Sequence, residues 1–464
     1  MSFNKKIIHA LIVISFLFLS LIGYLTYFQF FRADKLAYDG RNPRTVANEN
    51  KVKRGDIVSS DGVKLAYSEM SADSQTRVYP YNNVYAHIIG YNSVQYGRSG
   101  LEYTYNGYIM GSSFSNELFN IKRTIDGEDK EGANLTLTID HKLQQKAYDL
   151  LGSHRGAVIA LDPSTGAVLA LVSKPDFNPN SESLSANWES LNSGEESVFL
   201  PRATCGLYAP GSVFKTITAV SAAENGMDSV EIEDTGSKVV AGYEFKNYDG
   251  HEYGLLDLKK GFAKSSNVYF AELAYELGYR KMHTTAEGFM IGKDIAFDLD
   301  IKTGQTLQNR DKTNVAAVGM GQGDTLVTPM NMALVAQALA NGGVMMSPYL
   351  VESADLSNGY NVYKHSRQVL SEATDADTAE KIKECMIECV KSGTGVSAQI
   401  SGVEVAGKTG TAENTGEDHA WFIAYAPADD PKIALCVMVE NADNTGGVVC
   451  GPIVRSLIYA WLNK

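Results

Sequence analysis

One segment limits every fold open to this chain: an apolar run from Ile7 to Phe28, broken only by His9 and a few Ser, Thr, Gly and Tyr. At about 22 residues it is long enough to cross a hydrocarbon core about 30 Å thick. A helix packed on a globular core would show a polar face, and this run has none. A cleaved export signal has a shorter apolar stretch and a small-residue cleavage site, and no such site precedes Arg32. The run is therefore expected to stay as a single-pass anchor, residues 7–28, behind a short tail, residues 1–6. Lys5 and Lys6 favour a cytoplasmic N-terminus, against Arg32 and Lys35 on the far side. In that orientation the rest of the chain folds outside the cytoplasm.

Beyond the anchor the composition is that of a globular protein. The chain has 464 residues, too many for one ordinary domain, and its 44% hydrophobic and 20% charged residues suit a sizeable core. A formal net charge of -13 supplies no basic excess to displace counterions from phosphates, which excludes a nucleic-acid partner. Five cysteines, Cys205, Cys385, Cys389, Cys436 and Cys450, form no regular framework. Cys385 and Cys389 are four apart on an expected helix with no second ligand pair, so they read as buried small hydrophobes, not as a metal site.

Residues 32–139 carry short strand signals. Asp56-Ile57-Val58 and Val63-Lys64-Leu65-Ala66 flank a Ser59-Ser60-Asp61-Gly62 turn, a hairpin pattern. Asn134 to Ile139 alternates polar and apolar, as a half-buried strand does, and Asp140 then caps a helix through Leu143, Ala147, Leu150 and Leu151. A second hairpin pairs Gly156–Leu161 with Ala167–Val172 across Asp162-Pro163-Ser164-Thr165-Gly166. Near the C-terminus, Val403–Val405, Ala420–Tyr425 and Lys432–Val439 read as strands, and an apolar helix closes the chain at about Pro452 to Leu462. Helical stretches at 213–224, 266–278, 329–341 and 376–392 lie between the strand groups. Strands at both ends with helices between imply an α+β domain on a mostly antiparallel sheet.

Three short patterns occur in order: Ser212-Val213-Phe214-Lys215, Ser265-Ser266-Asn267 and Lys408-Thr409-Gly410. Each alone is weak, and each has a decoy: Ser2-Phe3-Asn4-Lys5, Ser185-Ala186-Asn187 and Lys302-Thr303-Gly304. Ser2 precedes the anchor, Ser185 precedes any usable Ser-x-x-Lys, and Lys302 enters a polar stretch, whereas Lys408 extends a strand. Pro210-Gly211 precede Ser212, and Val213, Phe214, Ile217, Val220 and Ala223 follow at mostly helical spacing. Ser212 thus opens a nearly all-apolar helix, with Lys215 one turn on along the same face. A serine hydroxyl needs a base to become a nucleophile, and a lysine serves once burial and a second cation, here Lys408, lower its pKa.

The ordered set resembles that of the penicillin-binding transpeptidases and class A β-lactamases. The likeness extends to Tyr208-Ala209-Pro210-Gly211, Gly319-Met320-Gly321-Gln322-Gly323, Thr328-Pro329 and Thr411-Ala412-Glu413. Arg54-Gly55-Asp56-Ile57, Gly100-Leu101-Glu102 and Leu137-Thr138-Ile139-Asp140 are similar to the non-catalytic module of the class B branch. The resemblance implies a strand-rich pedestal (32–139) before a transpeptidase domain (140–464) of the serine β-lactamase-like fold, a central antiparallel sheet flanked by helices. It implies a peptidoglycan D,D-transpeptidase in the bacterial cell membrane that joins stem peptides through an acyl-enzyme on D-Ala-D-Ala and is acylated by β-lactams. By the same likeness Ser212 is the nucleophile, Lys215 its base and Ser265 the proton relay to the leaving amine, with Asn267 on the substrate peptide. Lys408 and Thr409 engage the terminal carboxylate beside Gly410, and the N–H groups of Ser212 and Thr411 form the oxyanion hole. Many relatives have Asp or Cys where this chain has Ser266, a side chain expected to be dispensable. No metal or cofactor is required, and the anchor and pedestal resemble those that pair with a polytopic SEDS-type glycan polymerase.

Other expectations are structural. Gln322 reads as a substrate-side loop or a plain turn, Trp421 and Tyr425 as strand packing, and Glu102 as a salt bridge between modules. Hydrolysis, as in a D,D-carboxypeptidase or β-lactamase, would use the same attacking residues, but no residue is assigned to activate a deacylating water. A β-lactam sensor would need a larger cytoplasmic output than the tail supplies, while a scaffold role is compatible with catalysis.

Overall fold

The computed structural model describes residues 3–31, 51–71, 74–413 and 416–464. Ser2, Arg32, Lys35 and the first part of the expected pedestal, 32–50, lie outside them. Helix α1, Phe3–Phe31, contains the apolar run, and its span Ile7–Phe28 has a mean hydropathy of 2.4 with none of it buried against the protein. Its exposed aliphatic and aromatic side chains fit a hydrocarbon environment.

The pedestal is built on a six-stranded sheet. Strands β1 (Ile57–Val58), β2 (Lys64–Met70), β3 (Gln75–Val78) and β4 (Asn134–Leu137) come from its own sequence. Helix α2, His141–Leu151, follows β4, capped by Asp140, whose side chain accepts from the Leu143 N–H. Strands β5 (Gly156–Leu161) and β6 (Val168–Lys174) form the second expected hairpin. Next come helix α3 (Lys215–Glu224), strand β7 (Ile232–Asp234) and a hairpin of β8 (Ser237–Val240) with β9 (Tyr243–Lys246). Helices α4 (Leu258–Lys264), α5 (Asn267–Gly288) and α6 (Pro329–Ala340) follow.

Two later strands, β10 (Val351–Asp355) and β11 (Asn361–Lys364), return to the pedestal. The order of that sheet is β11-β10-β4-β1-β2-β3, so residues from both sides of position 139 share it. Helix α7 (Ala376–Ser392) leads to β12 (Ala406–Ala412), β13 (His419–Ala426), β14 (Ile433–Val439) and closing helix α8 (Gly451–Leu462).

The central sheet is fully antiparallel, in the order β6-β5-β14-β13-β12. Its strands are buried on both faces, so they read as continuous apolar runs instead of alternating ones. Val158, Phe422, Leu435 and Val437 pack with α2 and α8 on one face, while Ile159, Trp421, Cys436 and Met438 join the helices of the other. Strand β12 lies at the edge.

Several boundaries differ from expectation. Val403–Val405 is not a strand: Ile400 and Val403 close a bridged turn, and the ladder begins at Ala406. The stretch 266–278 continues to Gly288 across a kink at Gly278. All five thiols are free; four are buried as expected, and Cys205 is only half-buried.

Glu102 does not bridge two modules. It lies fully buried inside the pedestal between Arg54, at 2.5 Å, and Arg77, at 2.6 Å. Burial alone would raise its carboxyl, but the two guanidinium groups outweigh that and hold it below the usual carboxylate range. Removing one member of such a cluster strands the others without a counter-charge. Glu102→Ala is expected to lower stability by about 3–5 kcal/mol, read as a drop in the denaturation midpoint of the full chain.

Candidate active site

The turn that carries Ser212 is set by Gly211. Its backbone is left-handed, with φ at 54°, and a Cβ there would lie 2.5 Å from the Thr411 carbonyl oxygen. Gly211 N–H donates to the Gly321 carbonyl at 2.9 Å, so the glycine-rich 319–323 segment braces the turn, and Gln322 reaches the cleft wall. Residues Gly211–Phe214 are a 3-10 turn, and α3 starts only at Lys215. The expected helix from 213 is thus split, and at three residues per turn the 3-10 segment stacks Ser212 and Lys215 more directly than an α-helix would.

A second brace lies behind the turn. The Tyr208 hydroxyl donates to Glu440 at 2.5 Å, and the same carboxylate accepts from Arg202 at 2.7 Å and Arg155 at 3.0 Å. Tyr208 meets the buried His419 edge-on at 5.4 Å. Trp421 and Tyr425 are buried strand residues, as expected.

Ser265 ends α4 in a left-handed conformation, φ 58° and ψ 37°, uncommon for a residue with a Cβ. Strain of this kind persists where the surroundings over-determine it. Here two amines do so. Lys215 Nζ donates to the Ser265 carbonyl and to Asn267 Oδ1, both at 2.7 Å, with Ser265 Oγ at 3.4 Å. Lys408 Nζ donates to Ser265 Oγ at 2.8 Å and to the Thr409 carbonyl at 3.1 Å.

Both lysines are completely buried. Burial, and then the neighbouring Lys408, push the Lys215 amine well below its ordinary range, while Asp234 acts in the opposite sense. Burial brings Lys408 down to about 8. Thr409 Oγ1 pairs with Thr394 Oγ1 at 2.5 Å.

The expected residues converge. Ser212, Ser265, Asn267, Thr409 and Thr411 line one cavity of about 390 Å³. Lys215 and Lys408 stand behind it, and Gly410 packs against the Pro210–Val213 turn, where a Cβ would lie 3.0 Å from Val213 Cγ1. Two cavities elsewhere are larger, about 410 and 870 Å³, so the chemistry of the lining and not its volume marks the site. The decoys are elsewhere: Ser185 and Asn187 lie on the helix Ser181–Ser193, and the Lys302 backbone pairs with Thr204. Among the described residues Ser212 Oγ makes no hydrogen bond; Lys215 is turned to the second motif instead.

Comparison with known proteins agrees. The profile of the penicillin binding protein transpeptidase domain matches residues 156–459. The chain belongs to the penicillin-binding transpeptidases. That of the penicillin binding protein A dimerisation domain matches 54–135, within this transpeptidase's strand-rich N-terminal module. The penicillin-binding chain is 34% identical to the peptidoglycan D,D-transpeptidase PbpA of Mycolicibacterium smegmatis, over 99% of each sequence. It is 28% identical to the D,D-transpeptidase MrdA of Acinetobacter baumannii, over 91% of this chain and 71% of that one. The imipenem acyl-enzyme of penicillin-binding protein A from M. tuberculosis superposes with a TM-score of 0.85 at 31% identity, covering 90% of this chain and all of that one.

Sequence reasoning missed Asn247, whose Oδ1 accepts from the Asn267 N–H at 2.8 Å, and the Glu440 cluster. It also treated Ser266 as dispensable, yet this buried side chain caps α5 by accepting from the Tyr269 N–H at 2.9 Å. No local pattern marks Asn247 or Glu440, because each acts through a partner distant in sequence, whereas Ser266 stands at the N-cap position before α5, a signal the sequence does carry. Gly211→Ala should displace the turn that carries Ser212 and slow acylation by a fluorescent penicillin by about a hundredfold, with the unfolding transition still cooperative.

Proposed function

We propose that this transpeptidase cross-links peptidoglycan stem peptides through an acyl-enzyme on Ser212. One observation carries the assignment of roles: two buried amines, Lys215 and Lys408, meet at the Ser265 hydroxyl beside Ser212 in one cleft. A neutral Lys215 amine has two N–H bonds and one lone pair. Ser265 O and Asn267 Oδ1 occupy the two N–H bonds, which leaves the lone pair for the proton of Ser212.

Ser212 Oγ then attacks the carbonyl of the penultimate D-Ala, and the C–N bond to the terminal D-Ala breaks. The proton from Ser212 reaches the leaving amine through Lys215 and Ser265. An amine of a second stem peptide attacks the ester, forming the cross-link and restoring the Ser212 hydroxyl. The N–H groups of Ser212 and Thr411 stabilise the oxyanion, a contribution of about 2.7–4 kcal/mol per donor in other enzymes. Lys408 and Thr409 hold the terminal carboxylate, with Gly410 allowing the close fit of β12 to the nucleophile turn. Strand β12, at the edge of the sheet, supports pairing with an extended stem peptide. β-Lactams enter by the same attack.

The proposal extends to the cell. The tail 1–6 is cytoplasmic and 7–28 spans the membrane, while the pedestal, 32–139 completed by β10 and β11, and the remainder of 140–464 as the catalytic domain lie outside. Anchor and pedestal engage a polytopic SEDS-type glycan polymerase. Hydrolysis as a D,D-carboxypeptidase is the competing outcome. Mass spectrometry after incubation with a stem-peptide ester separates the two, since only transfer gives a new amide to an added amine.

Ser212→Ala is expected to abolish covalent penicillin labelling, and Lys215→Ala to slow it by several orders of magnitude in a folded protein. Lys302→Ala should label normally while Lys408→Ala does not; the reverse result would discard the third-motif assignment.

The pH profile of acylation is also fixed in sign. The rate should rise as Lys215 loses its proton at its lowered pKa, and fall above about pH 8 as Lys408 loses the charge that holds the carboxylate. Lys408→Arg should move the alkaline limb upward, since a guanidinium stays charged.

A further inference from the structure

Behind the Ser265–Asn267 turn lies a buried carboxylate that takes no part in acylation by Ser212. Asp234, at the end of β7, is 1% exposed. It accepts from the Gly236 N–H at 2.9 Å, from Asn247 Nδ2 at 2.7 and 2.8 Å, and from Ser266 Oγ at 2.5 Å. Among the described residues it has no ion-pair partner. A carboxylate buried among neutral donors alone is costly to place there, so its position needs a reason.

Its partners supply one. Asn247 accepts from the Asn267 N–H at 2.8 Å and the Val268 N–H at 3.2 Å, and Ser266 sits between the two residues that bind Lys215. The chain of contacts therefore runs from Asp234 through Ser266 and Asn247 to Ser265 and Asn267, and from them to the amine of Lys215. Asn267 Nδ2 closes the arrangement on the Lys246 carbonyl at 2.9 Å.

We propose that Asp234 is a positioning residue of the active site, its carboxylate setting through Ser266 and Asn247 where the Ser265–Asn267 turn meets Lys215. This rests on Lys215 acting as the base. The charge has a second effect. Lys408 on β12 disfavours the proton on Lys215 and Asp234 on β7 favours it; Lys246 and Lys264 stand on the cleft rim, and Cys389 on α7 bears on Lys408. Asp234 thus opposes the two influences, burial and Lys408, that strip the base of its proton.

The assay is the rate of Ser212 acylation by a fluorescent penicillin, measured against pH on the full chain in detergent. In Asp234→Asn the acid limb is expected to move down by about half a pH unit or more, because the charge that favours protonated Lys215 is gone. A purely structural role would lower the rate at every pH and leave the limb in place. Ser266→Asp sets a second carboxylate against Asp234 and should cost about a hundredfold by displacing the turn. The double variant, Asp234→Asn with Ser266→Asp, moves the carboxylate to the other side of the same contact and sets an amide donor opposite it. It should regain at least about tenfold over Ser266→Asp, a coupling that independent sites do not show, and return the acid limb toward its original position.

An unmoved limb in Asp234→Asn, or a double variant no faster than Ser266→Asp, overturns the proposal. An unfolded Ser266→Asp with a folded double variant supports it, and failure of the double variant to fold overturns it. Failure of the base assignment is read separately, as normal acylation of Lys215→Ala.

Discussion

Two ammonium groups do not share a buried hydroxyl without consequence. At the centre of this protein Lys215 and Lys408 both point at Ser265, each completely removed from water. Water no longer stabilises their charges, and the neighbouring Lys408 further disfavours the proton on Lys215, which drives that amine toward its neutral form. That electrostatic tension is what fits Lys215 to the proposed role of base. The rest of the domain holds it in place: α3 brings Lys215, β12 brings Lys408, and the α4–α5 junction brings the hydroxyl and carbonyl between them.

The architecture accounts for how three distant segments keep this register. Strand β12 is paired on one side only, with β13, over seven consecutive residues. Its ladder fixes Lys408, Thr409 and Thr411 relative to the core, while Gly410 and Thr411 pack against the turn that carries Ser212. The turn is anchored from two further directions, by Gly321 at its glycine and by the Tyr208–Glu440 contact behind it. A hydroxyl held by three independent elements, as Ser212 is, loses little entropy on reaching the proposed reactive geometry.

The convergence of the three motifs on one cleft was legible because each motif is encoded locally. Ser212 and Lys215 are one turn apart in an apolar helix, and the order of the three motifs removes the decoys. The fold class was legible from strands at both ends of a helical middle. What remained hidden depends on long-range pairing. The edge strand was placed too early, at Val403–Val405, because Gly407 to Ala412 contains none of the branched apolar residues that signal a strand; only its ladder with β13 makes it one. Ser266 looked replaceable because its bond to Asp234, 32 positions away, leaves no local trace, although its place just before α5 is the local mark of a helix cap. Glu102 was recognised as structural, but its two arginines are 48 and 25 residues distant, so its site within the pedestal was not.

The return of β10 and β11 to the pedestal sheet has an outcome for how the molecule is made. Strand β4 pairs with β10 on one side, at Leu137 with Val351 and Asn134 with Asp355. A nascent chain emerges N-terminus first, so that flank of β4 stays open until more than two hundred further residues have followed. The small module therefore cannot mature ahead of the large one, and an unfinished polypeptide presents a bare edge on which a second copy could template. Topology makes the completion of the pedestal a late event and ties its integrity to that of the catalytic domain.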